Sequence, residues 1–107
     1  MRMLMKISMP VENGNTAVKN GKLASTIKKL LDEQKPEAAY FLAEDNGERT
    51  GYLIVDLKSE SEIPAYAEPW FLAFNARITL RPVMTPQDLA AAAPGIERAI
   101  KAFAQSA

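Results

Sequence analysis

The sequence predicts one α+β domain over residues 1–107, with its elements in the order βαββαβ and a further helix at the C-terminus. Two observations carry this prediction. Four short segments alternate apolar and polar residues with a period of two, which is typical of strands with one covered face. Three longer segments repeat apolar residues every three or four positions, which is typical of helices with one buried stripe. A chain of 107 residues also has the length of a single domain.

The four alternating segments predict four strands. In the first of them, Met5 and Ile7 point to one side while Lys6 and Ser8 point to the other. Asn46-Gly47 is a hairpin turn signal between the second and third segments, so these two strands should pair antiparallel. The strands are expected at residues 3–9, 38–44, 50–57 and 77–84.

The first helix is predicted to end near Gln34, because Pro36 follows it. Its start is open to two interpretations. Asn13-Gly14 has the composition of a turn, so Asn15 or Thr16 could cap the helix. Alternatively, Gly21 weakens its first turns by about 1 kcal/mol relative to alanine and moves the start to Lys22.

Prolines shape the other two helices. A capping box at Ser59 and Glu62 begins the second helix, and Pro69 is expected to kink it or restart it near Glu68. Thr85, followed by Pro86, is a strong start signal for the last helix. Pro94 should break this helix into two pieces.

This order is that of the ferredoxin-like split βαβ arrangement. It places strands 1 and 3 in the middle of an antiparallel sheet with both main helices on one face. The helix-facing residues should be Met5, Ile7, Leu53, Val55, Ile78 and Leu80. The uncovered face should carry Lys6, Ser8, Tyr40, Tyr52, Ile54, Asp56, Arg77, Thr79 and Arg81.

The uncovered face has two interpretations. Its residues are a dimer interface or plain surface, with Asp56 in an ion pair with Lys6 or an arginine. Alternatively, Lys6, Asp56 and Arg81 are contacts in a polar pocket. Trp70 also has two interpretations, as a core residue or as the wall of a cavity with Asn75 and Glu68 near its mouth. The candidate ligand-binding residues are Lys6, Ser8, Tyr40, Asp56, Trp70, Asn75 and Arg81.

The composition excludes several classes of site. The chain has no cysteine and no histidine, which removes disulfides, thiolate nucleophiles and imidazole metal ligands. We therefore expect no metal and no cofactor. Thirteen basic residues balance thirteen acidic ones, so no electrostatic footprint for nucleic acid exists and self-association is permitted. No apolar run is long enough to cross a membrane, and a cytoplasmic location is expected.

Two runs, over residues 68–76 and 82–89, resemble an uncharacterised bacterial family of the dimeric α/β-barrel superfamily. The resemblance extends over residues 3–104 and implies a homodimer whose two open sheet faces pack together. The superfamily includes muconolactone isomerase-like enzymes, cofactor-free monooxygenases, haem-degrading enzymes and stress-responsive proteins. The usual haem degradation needs an axial histidine, which this chain lacks. In the monooxygenases an Asn, a Trp and an Arg surround the substrate; Trp70 matches the Trp, but no Asn precedes it on the same helical face.

Three functions follow as hypotheses. The first is a homodimer that binds a small, partly apolar or aromatic ligand. The second is a cofactor-independent monooxygenase or isomerase acting on an aromatic or lactone substrate, with Trp70 and Tyr40 against the ring and Lys6, Asp56 or Arg81 handling protons. The third is an interaction subunit that uses an exposed apolar stripe of its last helix.

Overall fold

The computed structural model describes residues 1–104. The strands are β1 (Arg2–Met9), β2 (Ala38–Ala43), β3 (Arg49–Asp56) and β4 (Arg77–Pro82). The helices are α1 (Val11–Lys19), α2 (Leu23–Gln34), α3 (Ile63–Phe74), α4 (Pro86–Ala91) and α5 (Ala93–Phe103).

The four strands form one antiparallel sheet in the order β2-β3-β1-β4. The two central strands are therefore β1 and β3, as the sequence predicts. At the centre of the sheet Lys6 lies opposite Tyr52 of β3 and Thr79 of β4. This strand order is the ferredoxin-like one, and the predicted α+β class is confirmed.

One face of the sheet is covered by helices. Met5, Ile7 and Leu53 are completely buried there, together with Trp70 of α3. The other residues predicted to face the helices also belong to this core or pack against it. The predicted alternation is therefore confirmed, and the alternate residues of each strand lie on the opposite face.

The predicted turn at Asn13-Gly14 is wrong. α1 begins directly after Pro10 and contains Gly14. Gly14 is buried under the side chain of Arg49, and a Cβ atom there would lie 2.7 Å from Arg49 Nη1. This close crossing, rather than a turn, accounts for the glycine.

The first helix is instead broken at Gly21. Its φ of 69° lies in the left-handed region that favours glycine. α2 then begins at Leu23, close to the predicted start at Lys22, without a side-chain cap. Asn15 caps neither helix, because its Oδ1 accepts a hydrogen bond from Arg49 Nη1 at 2.9 Å.

The predictions made from the two prolines differ in their outcome. The expected restart near Glu68 is wrong, because α3 runs through Pro69 without a break. The missing hydrogen bond is offset by the packing of Ala67, Trp70 and Phe74, which are all buried in the core. Pro94 does coincide with two pieces, since α4 ends at Ala91 and α5 carries this proline in its first turn.

The two C-terminal helices project from the rest of the chain. We call residues 86–103 the C-terminal arm. None of its residues is buried, and the whole molecule measures 65 × 30 × 21 Å. A capping box at Thr85 and Asp88 begins the arm, with Asp88 N donating to Thr85 Oγ1 at 3.1 Å. None of the helices within residues 1–104 is both long and apolar enough to span a membrane.

Candidate functional site

The sheet face without helices, here the open sheet face, carries three neighbouring rows of side chains. The central row is Lys6 with Tyr52 and Thr79. The rows on either side of it contain Leu4, Ile54 and Arg81 at one end, and Ser8, Thr50 and Arg77 at the other. Tyr40 and Leu42 extend the face along the edge strand β2.

Two adjoining hollows lie on this face. The Glu48 hollow has a volume of about 360 Å³ and is lined by Lys6, Ser8, Asn46, Glu48, Arg77 and Thr79. The Arg81 hollow has a volume of about 200 Å³ and is lined by Leu4, Lys6, Tyr52, Thr79 and Arg81. Lys6 and Thr79 line both, so the two hollows form one continuous strip across the sheet.

Glu48 is the buried acid of this strip. Its residue is only 8% exposed, and its Oε2 accepts a hydrogen bond from Arg77 Nη1. Its Oε1 is buried and has no hydrogen-bond partner among residues 1–104. Leaving a buried acceptor unpaired costs about 1–3 kcal/mol. Glu48 therefore lines the hollow while its buried Oε1 still lacks a donor.

Tyr52, Glu44 and Lys6 form a second polar cluster beside the first. The Tyr52 hydroxyl donates to Glu44 Oε1 at 2.8 Å, and Lys6 Nζ lies 3.4 Å from the same oxygen. The hydrogen bond from Tyr52 lowers the pKa of Glu44, and the charge of Lys6 lowers it further. Glu44 in turn raises the pKa of Lys6.

These two pKa shifts define the pH range over which the cluster stabilises the fold. The lowered pKa of Glu44 stabilises the fold above the ordinary carboxyl pKa, and this contribution is lost as pH falls through the lowered value. The raised pKa of Lys6 stabilises the fold below the ordinary lysine pKa, and this contribution is lost as pH rises through the raised value. Near neutral pH both groups are charged and the cluster is intact.

Replacing Tyr52 with phenylalanine is expected to raise the pKa of Glu44 towards that of a free carboxyl group. The substitution removes the hydrogen bond that contributes most to the shift, while Lys6 still holds part of it. NMR titration of the Glu44 side-chain carboxyl carbon measures the change. Tyr66→Phe, on the helix-covered side of the sheet, is the control that should leave this pKa unchanged. An identical Glu44 titration in the Tyr52→Phe variant would contradict the cluster.

The structure brings together four of the seven predicted site residues. Lys6, Ser8, Tyr40 and Arg81 all belong to the open sheet face. Asp56 lies on the same face at its far end, opposite Arg2. The expected ion pair between Asp56 and Lys6 or an arginine is wrong. Asp56 Oδ1 instead lies 3.0 Å from the Met1 amino group, and Lys6 pairs with Glu44.

The other two predicted residues lie on the helix side of the sheet. Trp70 is completely buried, and its Nε1 donates to Gln34 Oε1 at 3.0 Å. Asn75 ends α3 in the left-handed conformation, with a φ of 51°. The sheet separates both residues from Lys6. Trp70 therefore occupies the core, which is the first of its two interpretations.

Glu44 and Glu48 are members of the site that the sequence analysis missed. They flank the Asn46-Gly47 turn, and Glu48 N donates to Asn46 Oδ1 at 3.0 Å. The signal was present in the sequence, because a tight hairpin returns the chain beside itself and brings its flanking acids to the same end of the sheet. Among residues 1–104 no group of three acidic side chains is placed to hold a metal ion.

Similarity to known proteins is limited to structure. No protein-family model and no curated protein sequence matches the chain. A solved structure of 5-chloro-2-hydroxyhydroquinone dehydrochlorinase (TftG) from Burkholderia phenoliruptrix AC1100 is similar, with a TM-score of 0.61 and 15% identity over 81% of this chain and 97% of that one. A formyltetrahydrofolate deformylase from Pseudomonas putida KT2440 gives a TM-score of 0.49 and 12% identity over 78% of this chain and 29% of that one.

The likeness to the dehydrochlorinase concerns the fold alone. Its coverage of both chains agrees with the observed strand order and helix placement. The chain is therefore an α+β protein with a ferredoxin-like fold.

Proposed function

We propose that this chain is a homodimeric protein of the dimeric α/β-barrel type that binds a small, partly apolar or aromatic ligand on its open sheet face. The ligand carries a hydroxyl donor near a carbonyl or oxyanion acceptor. The observation that supports this most strongly is the strip of two hollows, which Lys6, Arg77 and Arg81 line together with Glu48, whose Oε1 has no hydrogen-bond partner among residues 1–104.

The apolar residues of the open sheet face favour a second copy over it. Tyr40 is 68% exposed and Leu42 is 44% exposed, and Leu4 and Ile54 are half-buried beside the charged groups. A second sheet packed on this face would remove these side chains from water. It would also close the shallow hollows into a cavity, which is the usual form of a small-ligand site.

The chemistry of the strip defines the ligand class. Arg77 has five N–H donors, and Glu48 Oε2 occupies one of them. Lys6 contributes an ammonium group to both hollows. These groups suit a carbonyl or oxyanion oxygen. Glu48 suits a hydroxyl, because an ionised carboxylate only accepts hydrogen bonds and its Oε1 has no donor among residues 1–104.

The dehydrochlorinase structure is a complex with 2,5-dihydroxybenzoquinone. This compound combines an unsaturated ring with adjacent enol and carbonyl oxygens. Its enols are vinylogous acids, so it offers oxyanion acceptors to Lys6 and Arg77 near neutral pH and a hydroxyl donor to Glu48 at acidic pH, and it is a suitable first probe at both. We expect isothermal titration calorimetry to detect its binding to the wild-type protein.

Lys6→Met is expected to weaken binding of this probe by about 10- to 100-fold, because a hydrogen bond to a charged group contributes about 1.5–3 kcal/mol. The control is Lys28→Met, which removes a lysine paired with Asp32 on the outer surface of α2. Equal affinity of the wild-type and Lys6→Met proteins, or no binding of the probe to the wild type, would contradict the proposed site.

A cofactor-independent isomerase or monooxygenase acting on an aromatic or lactone substrate is the second candidate. The contacts of Tyr52 and Lys6 with Glu44 Oε1 favour it, because they hold a hydroxyl and an ammonium group, both proton donors, in fixed positions beside the Arg81 hollow. In this case Tyr52→Phe should abolish turnover while the probe still binds. If the Tyr52→Phe variant kept its turnover, Tyr52 would take no part in proton transfer.

A further inference from the structure

The C-terminal arm carries an apolar stripe that no other part of residues 1–104 covers. Of the four large apolar residues of the arm, Leu89 lies on α4, and Ile96, Ile100 and Phe103 recur at four- and three-residue spacings that place them on one side of α5. The four are 54%, 51%, 45% and 86% exposed. Arg98 lies on the opposite side of α5. The arm is therefore amphipathic, with its apolar side facing water.

An arm of this kind needs a surface to pack on. Isolated helices shorter than about 12–15 residues are marginal in water, and α5 has 11 residues. Full burial of one large aliphatic or aromatic side chain contributes about 1.5–3 kcal/mol. Covering the stripe would therefore stabilise the arm substantially.

The same chain offers an apolar hollow of about 300 Å³ at the edge of the sheet. Its apolar lining comes from Met9, Leu23, Ile27, Phe41, Leu42 and Ala43. Phe41, on the helix-covered side of the edge strand β2, is 47% exposed, so within residues 1–104 this hollow is open to water. Its size suits one or two large side chains of an entering helix.

The arm and the hollow lie at opposite corners of the sheet. The arm follows β4, an edge strand, and leaves from the end where Pro82 lies opposite Met3. The hollow lies at the other end of β1, beside Met9, and on β2, the other edge strand. The arm of one chain therefore starts at the corner of the sheet farthest from its own hollow, and none of its residues lines that hollow.

We propose that the arm of each protomer packs into the apolar hollow of a second copy of this chain. Every chain carries both complementary surfaces, so a twofold exchange covers both arms and both hollows at once. Because the chain has zero net charge, little electrostatic repulsion opposes this association. The inference rests on the proposed homodimer and is independent of the ligand.

The absence of cysteine from the sequence makes a direct cross-linking test possible. Leu23→Cys labels the hollow and Ile100→Cys labels the stripe. The two single variants are mixed, allowed to exchange subunits and treated with a short bismaleimide. We expect a covalent dimer on a denaturing gel from the mixture. Leu23→Cys mixed with Arg98→Cys, whose cysteine lies on the other side of α5, is the matched control and should give little product.

Three results would overturn the inference. One is equal yield from the Ile100→Cys and Arg98→Cys mixtures. Another is no covalent dimer from either mixture. The third is a chain carrying both Leu23→Cys and Ile100→Cys that links only within itself, which would mean that the arm folds back on its own hollow. Melting curves matching the wild type establish that each variant is folded.

The dimer itself is tested separately. If the wild-type protein is a dimer and the cross-link does not form, only the exchange of arms is wrong. If the wild-type protein is a monomer, the proposed dimer is wrong as well.

Discussion

Replacing Trp70 with alanine is expected to lower the free energy of unfolding by about 3–5 kcal/mol, the usual cost of removing a large buried aromatic side chain. Trp70 is completely buried, and its ring centroid lies 6.1 Å from that of Phe74. The substitution also leaves Gln34 Oε1 without its hydrogen bond from Trp70 Nε1. Domains have a total stability of about 5–15 kcal/mol, so much of the margin would be lost. Urea denaturation followed by circular dichroism measures the change.

Two further variants separate packing from hydrogen bonding in this result. Trp70→Phe keeps an aromatic ring but loses volume and the bond to Gln34, so we expect a smaller loss of about 1–3 kcal/mol. Leu72→Ala is the control on the same helix, because Leu72 is 81% exposed. It should change stability by less than about 0.5 kcal/mol. A Trp70→Ala loss no larger than that of the control would contradict the core described here.

Replacing Leu4 with aspartate is expected to weaken the proposed dimer by about 100- to 1000-fold. Leu4 lies on the open sheet face between Ile54 and Arg81. A carboxylate at this position of a covered sheet face would be largely removed from water, and an unpaired buried charge costs about 3–5 kcal/mol. Arg81 is close enough to offset part of this cost, so the expected loss of affinity lies below the upper end of that range. Sedimentation velocity at several protein concentrations measures the dissociation constant.

The fold of the monomer should tolerate this change, because Leu4 is half-buried and points away from the core. The Leu4→Asp variant should therefore keep the circular dichroism spectrum of the wild type. Leu72→Asp, on the exposed side of α3, is the matched control and should leave self-association unchanged. Equal self-association of the two variants would show that the open sheet face is not the interface.

Alternation and turn chemistry made most of the fold predictable. The alternation of β1 correctly predicted which residues face the helices, and Asn46-Gly47 correctly predicted the hairpin between β2 and β3. Gly14 shows why local signals failed elsewhere. Together with Asn13 it reads as a turn signal. The glycine is instead needed because the side chain of Arg49, 35 residues later in the chain, leaves no room for a Cβ atom. The prediction made from Pro69 was wrong for a similar reason, because core packing around Trp70 keeps the helix continuous.

The candidate site was predictable as a face but not as a set of contacts. Strand alternation placed Lys6 and Arg81 on the same surface. It could not give the partner of Lys6, because Glu44 reaches it from the end of β2 across β3. Glu48 was harder still, since the burial of its carboxylate depends on the sheet being formed. Partners that depend on assembled strands require the three-dimensional structure.

A second copy is expected to cover the open sheet face, and sedimentation equilibrium of the wild-type protein over a range of micromolar concentrations decides whether it does. We expect a single species with twice the 11.8 kDa mass of the chain, which the Leu4→Asp variant converts to the monomer. A wild-type mass that stays at 11.8 kDa at the highest concentration would contradict it.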